Sequence, residues 1–331
     1  MSKPKVGLVG FFGFGNFGDE LFIKAHEEQL GEHFDLEVVN DLTEAPYLSP
    51  EREERLKDYD AFLIGGGDLI NPKQVSKLYW RRAYLEKPTF VYSLGVPQPQ
   101  SPETPAVGVY RDYFGSDAVK LIVARDRKSE VYINKTFECT DKTKYFPDAV
   151  CSLTLPQVKL ESDQTLGVII RAHRSVVGEY ECIRAAVDRA KEIGYRIRII
   201  VAANGKLGAD DLAVSKTFRR EDEELFYSED LFEICKAIGE CHMLMSMKFH
   251  GMIVATMYGR PSLQLSATPK NRNFLHYLQR PDLASNYKAE NLPDLLPPRP
   301  APIHSIIRAK LVRDSRAGYS VLREKLLETL G

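Results

Sequence analysis

Short apolar runs recur along the first half of the chain, most of them ending on glycine or a charged pair and followed by a segment with helical spacing. Such runs predict buried strands, and the segments between them predict crossover helices. Parallel strands joined by helices form an open sheet with helices on both faces, which is a doubly wound α/β fold. The predicted strands are residues 5–10, 36–40, 61–64, 89–94 and 120–124.

The same pattern begins again in the second half of the chain. It predicts strands at residues 165–170 and 195–202 and a helix at residues 180–193. A proline and several polar residues interrupt the pattern between residues 151 and 164, which favours a domain junction there. The length of 331 residues also favours two domains over one core. We therefore predict two Rossmann-like domains, residues 1–155 and 156–303, and a terminal helix at residues 304–331 with apolar residues at helical spacing.

Composition narrows the classes of partner and location. The formal charge is −1, so the chain carries no general attraction for nucleic acid. The five cysteines show no CxxC spacing, which predicts reduced thiols and no metal site. No apolar run approaches the length of about 18 residues that a membrane span needs, and the N-terminus leads directly into a strand. We expect a cytoplasmic protein with no integral membrane segment, and a peripheral association with a membrane stays open.

A lysine and a histidine, Lys248 and His250, lie two residues apart at the start of an apolar helical stretch. A helix is predicted at residues 231–240 and a strand at 242–247, so both side chains fall where a strand ends and a helix begins. Ligands bind at the carboxyl ends of strands in open α/β sheets, and a helix N-terminus favours phosphate or carboxylate. The alternative is that His250 caps the helix or fills the core while Lys248 is solvated.

A glycine-rich loop, Gly13-Phe-Gly-Asn-Phe-Gly18, formally matches the dinucleotide-binding fingerprint, with Asp41 where a ribose-binding acid would lie. Asp19 and Glu20 argue against a dinucleotide, because they place carboxylates where a pyrophosphate needs bare N–H groups. The loop either allows a tight turn and close packing, or binds a sugar through Asn16, Asp19 and Glu20.

Other polar groups follow predicted strands. A triple-glycine turn allows close approach of a ligand or of the backbone, and Asp68 after it is either a base or a helix cap. Arg125 and Asp126 are predicted to form a structural ion pair. Arg171 and His173 belong to a positively charged loop that one anion could occupy.

The chain resembles the polysaccharide pyruvyl transferase family over about residues 5 to 280, in motif order and rough spacing. The motifs are Gly13-Phe-Gly-Asn-Phe-Gly-Asp-Glu20, Gly65-Gly-Gly67, Ser93-Leu-Gly95, Arg125-Asp126, Pro147-Asp-Ala149, Met247-Lys-Phe-His250, Gly259-Arg-Pro261, Ser266-Ala-Thr-Pro-Lys270 and Phe274-Leu275. The family pattern usually has arginine where this chain has Lys248. Lysine keeps the charge but loses the bidentate fork that arginine offers a phosphate.

The resemblance implies a GT-B-like arrangement of the two Rossmann-like domains, with the C-terminal helix crossing back to the first. It also implies transfer of the pyruvyl group of phosphoenolpyruvate onto sugar hydroxyls as a cyclic ketal, in polysaccharide or glycan biosynthesis and without a cofactor or metal. A lipid-linked acceptor stays open.

Together with the charge requirements of that reaction, the resemblance gives each candidate residue a role. The expected donor-binding residues of the second domain are Arg171, His173, Lys248 and Lys270. The expected acceptor-binding residues of the first domain are Asn16, Asp19, Glu20 and Asp68. His250 is the expected acid or base, because a histidine titrates in the range that proton transfer at neutral pH requires.

Three other functions remain open at the level of the sequence. A nucleotide-sugar glycosyltransferase of GT-B fold would share the architecture and the histidine. A nicotinamide oxidoreductase is supported by the glycine fingerprint alone. A non-catalytic saccharide-binding protein is the third, because Lys248 departs from the family pattern.

Overall fold

Parallel strands in two separate sheets form the framework of the protein. The computed structural model describes residues 2–40, 47–97, 104–172 and 180–331. Contacts divide the chain into two compact units. The first unit comprises Met1–Gly13, Leu21–Leu153 and Leu311–Gly331, and the second unit comprises Phe14–Glu20 and Thr154–Lys310.

The first unit contains a parallel sheet built from the first seven described strands. These are β1 (Lys5–Val9), β2 (Asp35–Val38), β3 (Ala61–Ile64), β4 (Gly67–Asp68), β5 (Thr89–Gly95), β6 (Val119–Ala124) and β7 (Thr143–Tyr145), in the order β2-β1-β3-β5-β6-β7 with β4 beside β5. The helices between them are α1 (Phe17–Leu30), α2 (Pro50–Glu54), α3 (Pro105–Gly115) and α4 (Arg127–Phe137). Single 3-10 turns lie at Arg55–Asp58, Arg82–Glu86 and Ala149–Ser152.

The second unit contains a shorter parallel sheet. Its strands are β8 (Thr165–Ile169), β9 (Arg196–Ile200), β10 (Glu224–Phe226), β11 (Met243–Ser246) and β12 (Ser262–Gln264), in the order β10-β9-β8-β11-β12. Its helices are α5 (Glu181–Glu192), α6 (Gly205–Phe218), α7 (Leu231–Glu240), α8 (Phe249–Met257) and α9 (Pro269–Tyr277), with 3-10 turns at Pro281–Leu283 and Leu292–Leu295. The last helix is α10 (Ser305–Leu330).

The central strands are apolar because helices cover both of their faces. Every residue of β3 and of β5 is buried, as parallel sheets with covered faces require. Trp80, the only tryptophan of the chain, lies in the core of the first unit against the rings of Tyr110, Tyr113 and Phe114. The structure thus confirms the predicted α/β class with two doubly wound, Rossmann-like sheets.

Helix α10 crosses from one unit to the other. Its first residues cluster with the second unit, whereas residues from Leu311 onward cluster with the first. Within the first unit, the Tyr319 hydroxyl lies 3.0 Å from His26 Nδ1, and Ser315 Oγ donates to the Asp148 carbonyl at 3.0 Å. These bonds are buried and attach the helix to the body of that unit.

The glycine-rich loop differs from the sequence-based expectation. It was predicted to belong to the first domain, but residues Phe14–Glu20 cluster with the second unit. Backbone hydrogen bonds explain this, because Asn16 forms an antiparallel bridge with Ala203 and Asn204 N donates to the Gly15 carbonyl at 2.9 Å. Gly15 has a φ of 83°, and a Cβ there would lie 1.7 Å from the Asn204 carbonyl oxygen. The loop therefore requires glycine at this position.

Among the described residues, no helix combines the length and the apolar character that a membrane span needs. Within the same residues, no group of three or more His, Cys, Asp or Glu side chains is arranged to hold a metal ion. All five cysteines are free thiols, and burial raises the pKa of Cys241 to about 12. These thiols are therefore protonated at neutral pH where they are buried.

Candidate functional site

The connection from β11 to α8 is a short turn fixed by its own side chains. Ser246 Oγ accepts a hydrogen bond from Lys248 N at 3.0 Å and donates to the Lys248 carbonyl at 2.8 Å. Lys248 is the residue before helix α8, with extended backbone dihedrals. The turn therefore presents the lysine at the carboxyl end of the sheet, with the N-terminus of α8 directly after it.

The Lys248 ammonium is held by groups that follow two other strands. Its Nζ pairs with the carboxylate of Asp211 on α6 and donates to the Ala202 carbonyl, after β9, at 2.8 Å. Asp211 in turn accepts from the backbone N–H of Ala172, after β8, at 2.7 Å. The side chains of Lys248 and Asp211 are only 14% and 6% exposed. One buried ion pair thus connects the ends of β8, β9 and β11.

The charges around Lys248 have opposing effects on its protonation. Burial lowers the pKa of Lys248, Asp211 opposes this, the positive charge of Arg171 lowers the pKa further, and Asp19 raises it. Arg171, Lys248 and Asp19 are therefore close enough to interact electrostatically. Two cations and two carboxylates thus act on one another at this end of the sheet, and an anion bound there would be attracted by Arg171 and Lys248.

His250 lies in the first turn of α8 against the glycine-rich loop. A Cβ added to Gly18 would fall 1.8 Å from His250 Nδ1, so this glycine is in direct contact with the imidazole. The Phe249 ring lies edge-on to the imidazole, with 5.2 Å between the ring centroids. The loop and the helix start together fix the half-buried histidine beside Lys248.

The three polar residues of the loop lie around the same turn of the second unit. Glu20 N donates to the Asn16 carbonyl at 2.9 Å, which begins helix α1, and Gly15 N donates to Glu20 Oε1 at 3.0 Å. Asp19 lies in the first turn of the helix, where the positive end of the helix dipole stabilises its negative charge. The structure therefore brings Asn16, Asp19 and Glu20 to the side of the sheet that carries His250, in the second unit rather than the first.

Lys270 belongs to the neighbouring helix start. Strands β11 and β12 are paired, with Ser246 opposite Gln264, so α8 and α9 begin next to each other. Lys270 Nζ lies 5.5 Å from the centre of the Phe249 ring, within the range of a cation–π contact. A third cation is thus positioned beside the residue that separates Lys248 from His250.

Asp68 lies in the first unit, in strand β4 rather than at a helix start, so the interpretation as a helix cap is wrong. Its carboxylate pairs with Arg125, whose guanidinium also lies 3.6 Å from Asp148. The side chains of Arg125 and Asp148 are 2% exposed, while that of Asp68 is 21% exposed. Burial alone would lower the pKa of Arg125, but the carboxylates of Asp68 and Asp148 raise it. Asp126 caps helix α4 by accepting from Ser129 N at 3.0 Å.

Two candidate residues lie outside the described part of the chain, and a third residue of the site, Asp211, was not predicted. His173 falls within residues 173–179 and Asp41 within residues 41–46, neither of which the structure describes. Asp211 was missed because helix α6 was not predicted. The sequence did contain a signal for it: at helical spacing, Asp211 lies on the same face of α6 as Gly208 and Ser215, and this face is buried.

A family model of polysaccharide pyruvyl transferases matches residues 16–266. The chain belongs to this family. The match begins at Asn16 and includes Arg171, Lys248 and His250, while Lys270 lies just beyond it. The residues around the start of α8 therefore lie within the part of the chain that matches the family. No curated protein sequence matches the chain.

Solved structures share the fold at low sequence identity. A putative UDP-N-acetylglucosamine 2-epimerase from Listeria monocytogenes has a TM-score of 0.60 and 14% identity, over 97% of this chain and 95% of that one. The UDP-GlcNAc 2-epimerase from Neisseria meningitidis, bound to UDP-GlcNAc, has a TM-score of 0.58 and 12% identity over 98% and 100%. HepE from Anabaena, in complex with UDP and glucose, has a TM-score of 0.52 and 10% identity over 99% and 99%. This likeness confirms a fold of the GT-B type.

Proposed function

We propose that this family member transfers the pyruvyl group of phosphoenolpyruvate onto two hydroxyls of one sugar residue, forming a cyclic ketal during polysaccharide or glycan biosynthesis. The observation that carries the proposal is the placement of His250 beside Lys248 at the start of α8, within the residues that match the family. A proton-transfer group and a fixed cation lie together where a parallel sheet binds ligands.

Phosphoenolpyruvate carries a phosphate and a carboxylate, so its site needs several cations and N–H donors. Lys248 and Arg171 interact electrostatically, and Lys270 lies over the neighbouring Phe249 ring. The N-terminus of α8 adds backbone N–H groups and the positive end of a helix dipole. We assign Arg171, Lys248 and Lys270 to the donor, with His173 as a further donor-binding candidate outside the described residues.

The reaction needs a group that both gives and takes protons. A proton adds to the methylene carbon and makes C2 electrophilic, and the first hydroxyl then forms a bond to C2 and loses its proton. The bond from C2 to the phosphate oxygen breaks, and phosphate leaves with the electron pair. The second hydroxyl closes the ketal, and its proton leaves with the phosphate. We assign the proton transfers to His250, because histidine is the side chain whose ordinary pKa lies closest to neutral pH.

The proposed acceptor is a saccharide, and we assign the binding of its hydroxyls to Asn16, Asp19 and Glu20. These residues begin helix α1 in the same unit as His250, and carboxylate and amide groups suit hydroxyl donors. Asp68 of the first unit is a further acceptor-binding candidate, because its carboxylate remains partly exposed. The free thiols of the chain suit a reducing, cytoplasmic location. A lipid-linked acceptor would bring the protein to a membrane surface.

The decisive experiment combines phosphoenolpyruvate, a panel of saccharides and the purified protein. We expect release of inorganic phosphate together with a product whose mass exceeds that of the acceptor by one pyruvic acid minus one water. The His250→Gln variant serves as the matched control and should form little of this product. Turnover of UDP-sugars with no use of phosphoenolpyruvate would contradict the proposal and favour a nucleotide-sugar glycosyltransferase.

Ligand-induced stabilisation distinguishes the remaining functions. A ligand that binds only the folded protein raises its melting temperature, and this holds with or without catalysis. We expect phosphoenolpyruvate to raise the melting temperature, and NAD and UDP-GlcNAc to leave it unchanged. Stabilisation by saccharides alone, with no effect of phosphoenolpyruvate, would indicate a non-catalytic saccharide-binding protein.

A further inference from the structure

The buried pair of Lys248 and Asp211 carries an inference that rests on the proposed function and goes one step further. We propose that Asp211 is a positioning residue of the donor site: its carboxylate keeps the Lys248 ammonium protonated and fixed between the ends of β8 and β9. Asp211 itself needs no contact with the donor in this role. It acts on the donor through the charge and the position of Lys248.

The geometry gives Asp211 two attachments. Its carboxylate pairs with Lys248 Nζ, and its Oδ1 accepts from Ala172 N at 2.7 Å. Lys248 Nζ also donates to the Ala202 carbonyl at 2.8 Å. An ammonium has three N–H groups, so one remains for a ligand after Asp211 and Ala202 have been satisfied. The pair thus fixes the cation and still leaves it able to bind an anion.

The surroundings of Lys248 explain why it needs a carboxylate. Among the described residues, the charged groups that act on Lys248 are Asp211 of α6, Arg171 after β8 and Asp19 of α1. His250 of α8 and Lys270 of α9 both contact the ring of the adjoining Phe249. Burial and Arg171 both disfavour the charged amine, whereas Asp211 favours it most strongly. A buried lysine without a counterion loses its proton near neutral pH, and a neutral amine attracts no phosphate. Removing the charge of Asp211 should therefore lower the pKa of Lys248 further.

The first test measures the titration of Lys248 without any donor. Lysine labelled with carbon-13 at Cε is followed by NMR against pH, and the Lys248 signal is assigned by its loss in Lys248→Arg. We expect the midpoint in Asp211→Asn to fall by at least about one pH unit relative to wild type. Asp211→Glu, which keeps the charge, should retain a midpoint closer to that of wild type. An unchanged midpoint in Asp211→Asn overturns the proposal.

The second test measures anion binding with sulfate, which does not change its charge over the range used. In Asp211→Asn, the Kd for sulfate should rise between about pH 7 and pH 9, by at most tenfold per pH unit, and rise less in wild type. The double variant Asp211→Asn with Lys248→Arg should bind sulfate with little dependence on pH, because a guanidinium keeps its proton. A double variant with the same pH dependence as Asp211→Asn overturns the assignment to Lys248.

A second variant covers the case in which Asp211→Asn does not fold. Asp211→Ser also removes the charge but has a smaller side chain, so the Lys248 midpoint should again fall by at least about one pH unit. An unchanged Lys248 midpoint in Asp211→Ser overturns the proposal. The donor is tested separately with phosphoenolpyruvate in the wild-type protein. If phosphoenolpyruvate does not bind while the Lys248 titration shifts as expected, the proposed function fails and the role of Asp211 stands.

Discussion

Gly18 and His250 are in direct contact, although they lie far apart in the sequence. Gly18 lies in the first turn of α1, and His250 lies in the first turn of α8. A Cβ at position 18 would lie 1.8 Å from His250 Nδ1, well inside the distance that two heavy atoms tolerate. The backbone of Gly18 has no left-handed φ, so the requirement for glycine comes from the imidazole alone. The loop thus determines where the proposed proton-transfer group lies.

Gly18→Ala should therefore displace the imidazole while leaving most of the fold intact. We expect turnover to fall by roughly 10- to 100-fold, since small misplacements of a catalytic group are costly, and stability to fall by about 1–3 kcal/mol from overpacking. Steady-state kinetics and urea unfolding measure the two effects. Gly108→Ala is the matched control, because a Cβ there meets nothing within 4 Å and alanine favours a helix. Wild-type turnover in Gly18→Ala would show that the ring position is unimportant.

His250→Gln tests the proton transfer itself. Glutamine keeps a polar side chain of similar size but does not titrate, so we expect turnover to fall by about 100-fold or more with much of the donor affinity retained. The measurement is kcat with the true acceptor, together with phosphoenolpyruvate binding. Near-normal turnover would mean that His250 only binds or caps, and that Asp19, Glu20 or His173 supplies the proton.

The sequence predicted the longer strands because most of them are apolar on both faces. The strand at residues 61–64 is β3 without change, and the predicted strand at 89–94 is β5 with one more residue. Strands β4, β7, β10 and β12 were missed, since they have only two or three residues each. Helix α6 was also missed, since its two glycines and several polar residues weaken the helical pattern.

The candidate site was predicted only in part, and the reason is long-range geometry. Local spacing predicts that Lys248 and His250 lie where a strand ends and a helix begins. In the structure, β11 ends at Ser246 and α8 begins at Phe249. The unit to which the glycine-rich loop belongs depends on backbone bonds between Gly15 and Asn204, which no local pattern encodes. The role of Asp211 depends in the same way on residues that are distant in the sequence.

Arg125→Met should destabilise the first unit by about 3–5 kcal/mol, because it leaves the buried Asp148 and the adjacent Asp68 without their cation. Asp68→Asn should cost less, since Arg125 keeps Asp148 and asparagine still accepts a hydrogen bond. Fluorescence of Trp80 during urea unfolding reports this unit, because the tryptophan lies in its core. Arg127→Met is the control: that side chain is 71% exposed, so the midpoint should stay near wild type. Equal effects of Arg125→Met and Arg127→Met would contradict a buried charge cluster.

His26 should make the first unit less stable in acid. Burial lowers the pKa of His26 to about 3 in the folded protein, where its Nδ1 lies 3.0 Å from the Tyr319 hydroxyl. An unfolded histidine has a pKa near 6.5, so between about pH 6.5 and pH 3 the unfolded chain binds a proton that the folded chain does not. Stability is therefore lost as the pH falls through this window, at a limiting slope of about 1.4 kcal/mol per pH unit.

His26→Gln isolates this contribution, because glutamine does not titrate. The variant should be less stable than wild type at pH 7, since it packs less well around Tyr319, and the difference should shrink by about 1 kcal/mol per pH unit between about pH 6 and pH 4. Urea unfolding followed by Trp80 fluorescence at each pH gives the two free energies. His304→Gln, at an exposed histidine outside the first unit, should keep the wild-type slope. If His26→Gln also keeps that slope, His26 takes up its proton over the same pH range in the folded and the unfolded protein, and the expected effect of its burial is wrong.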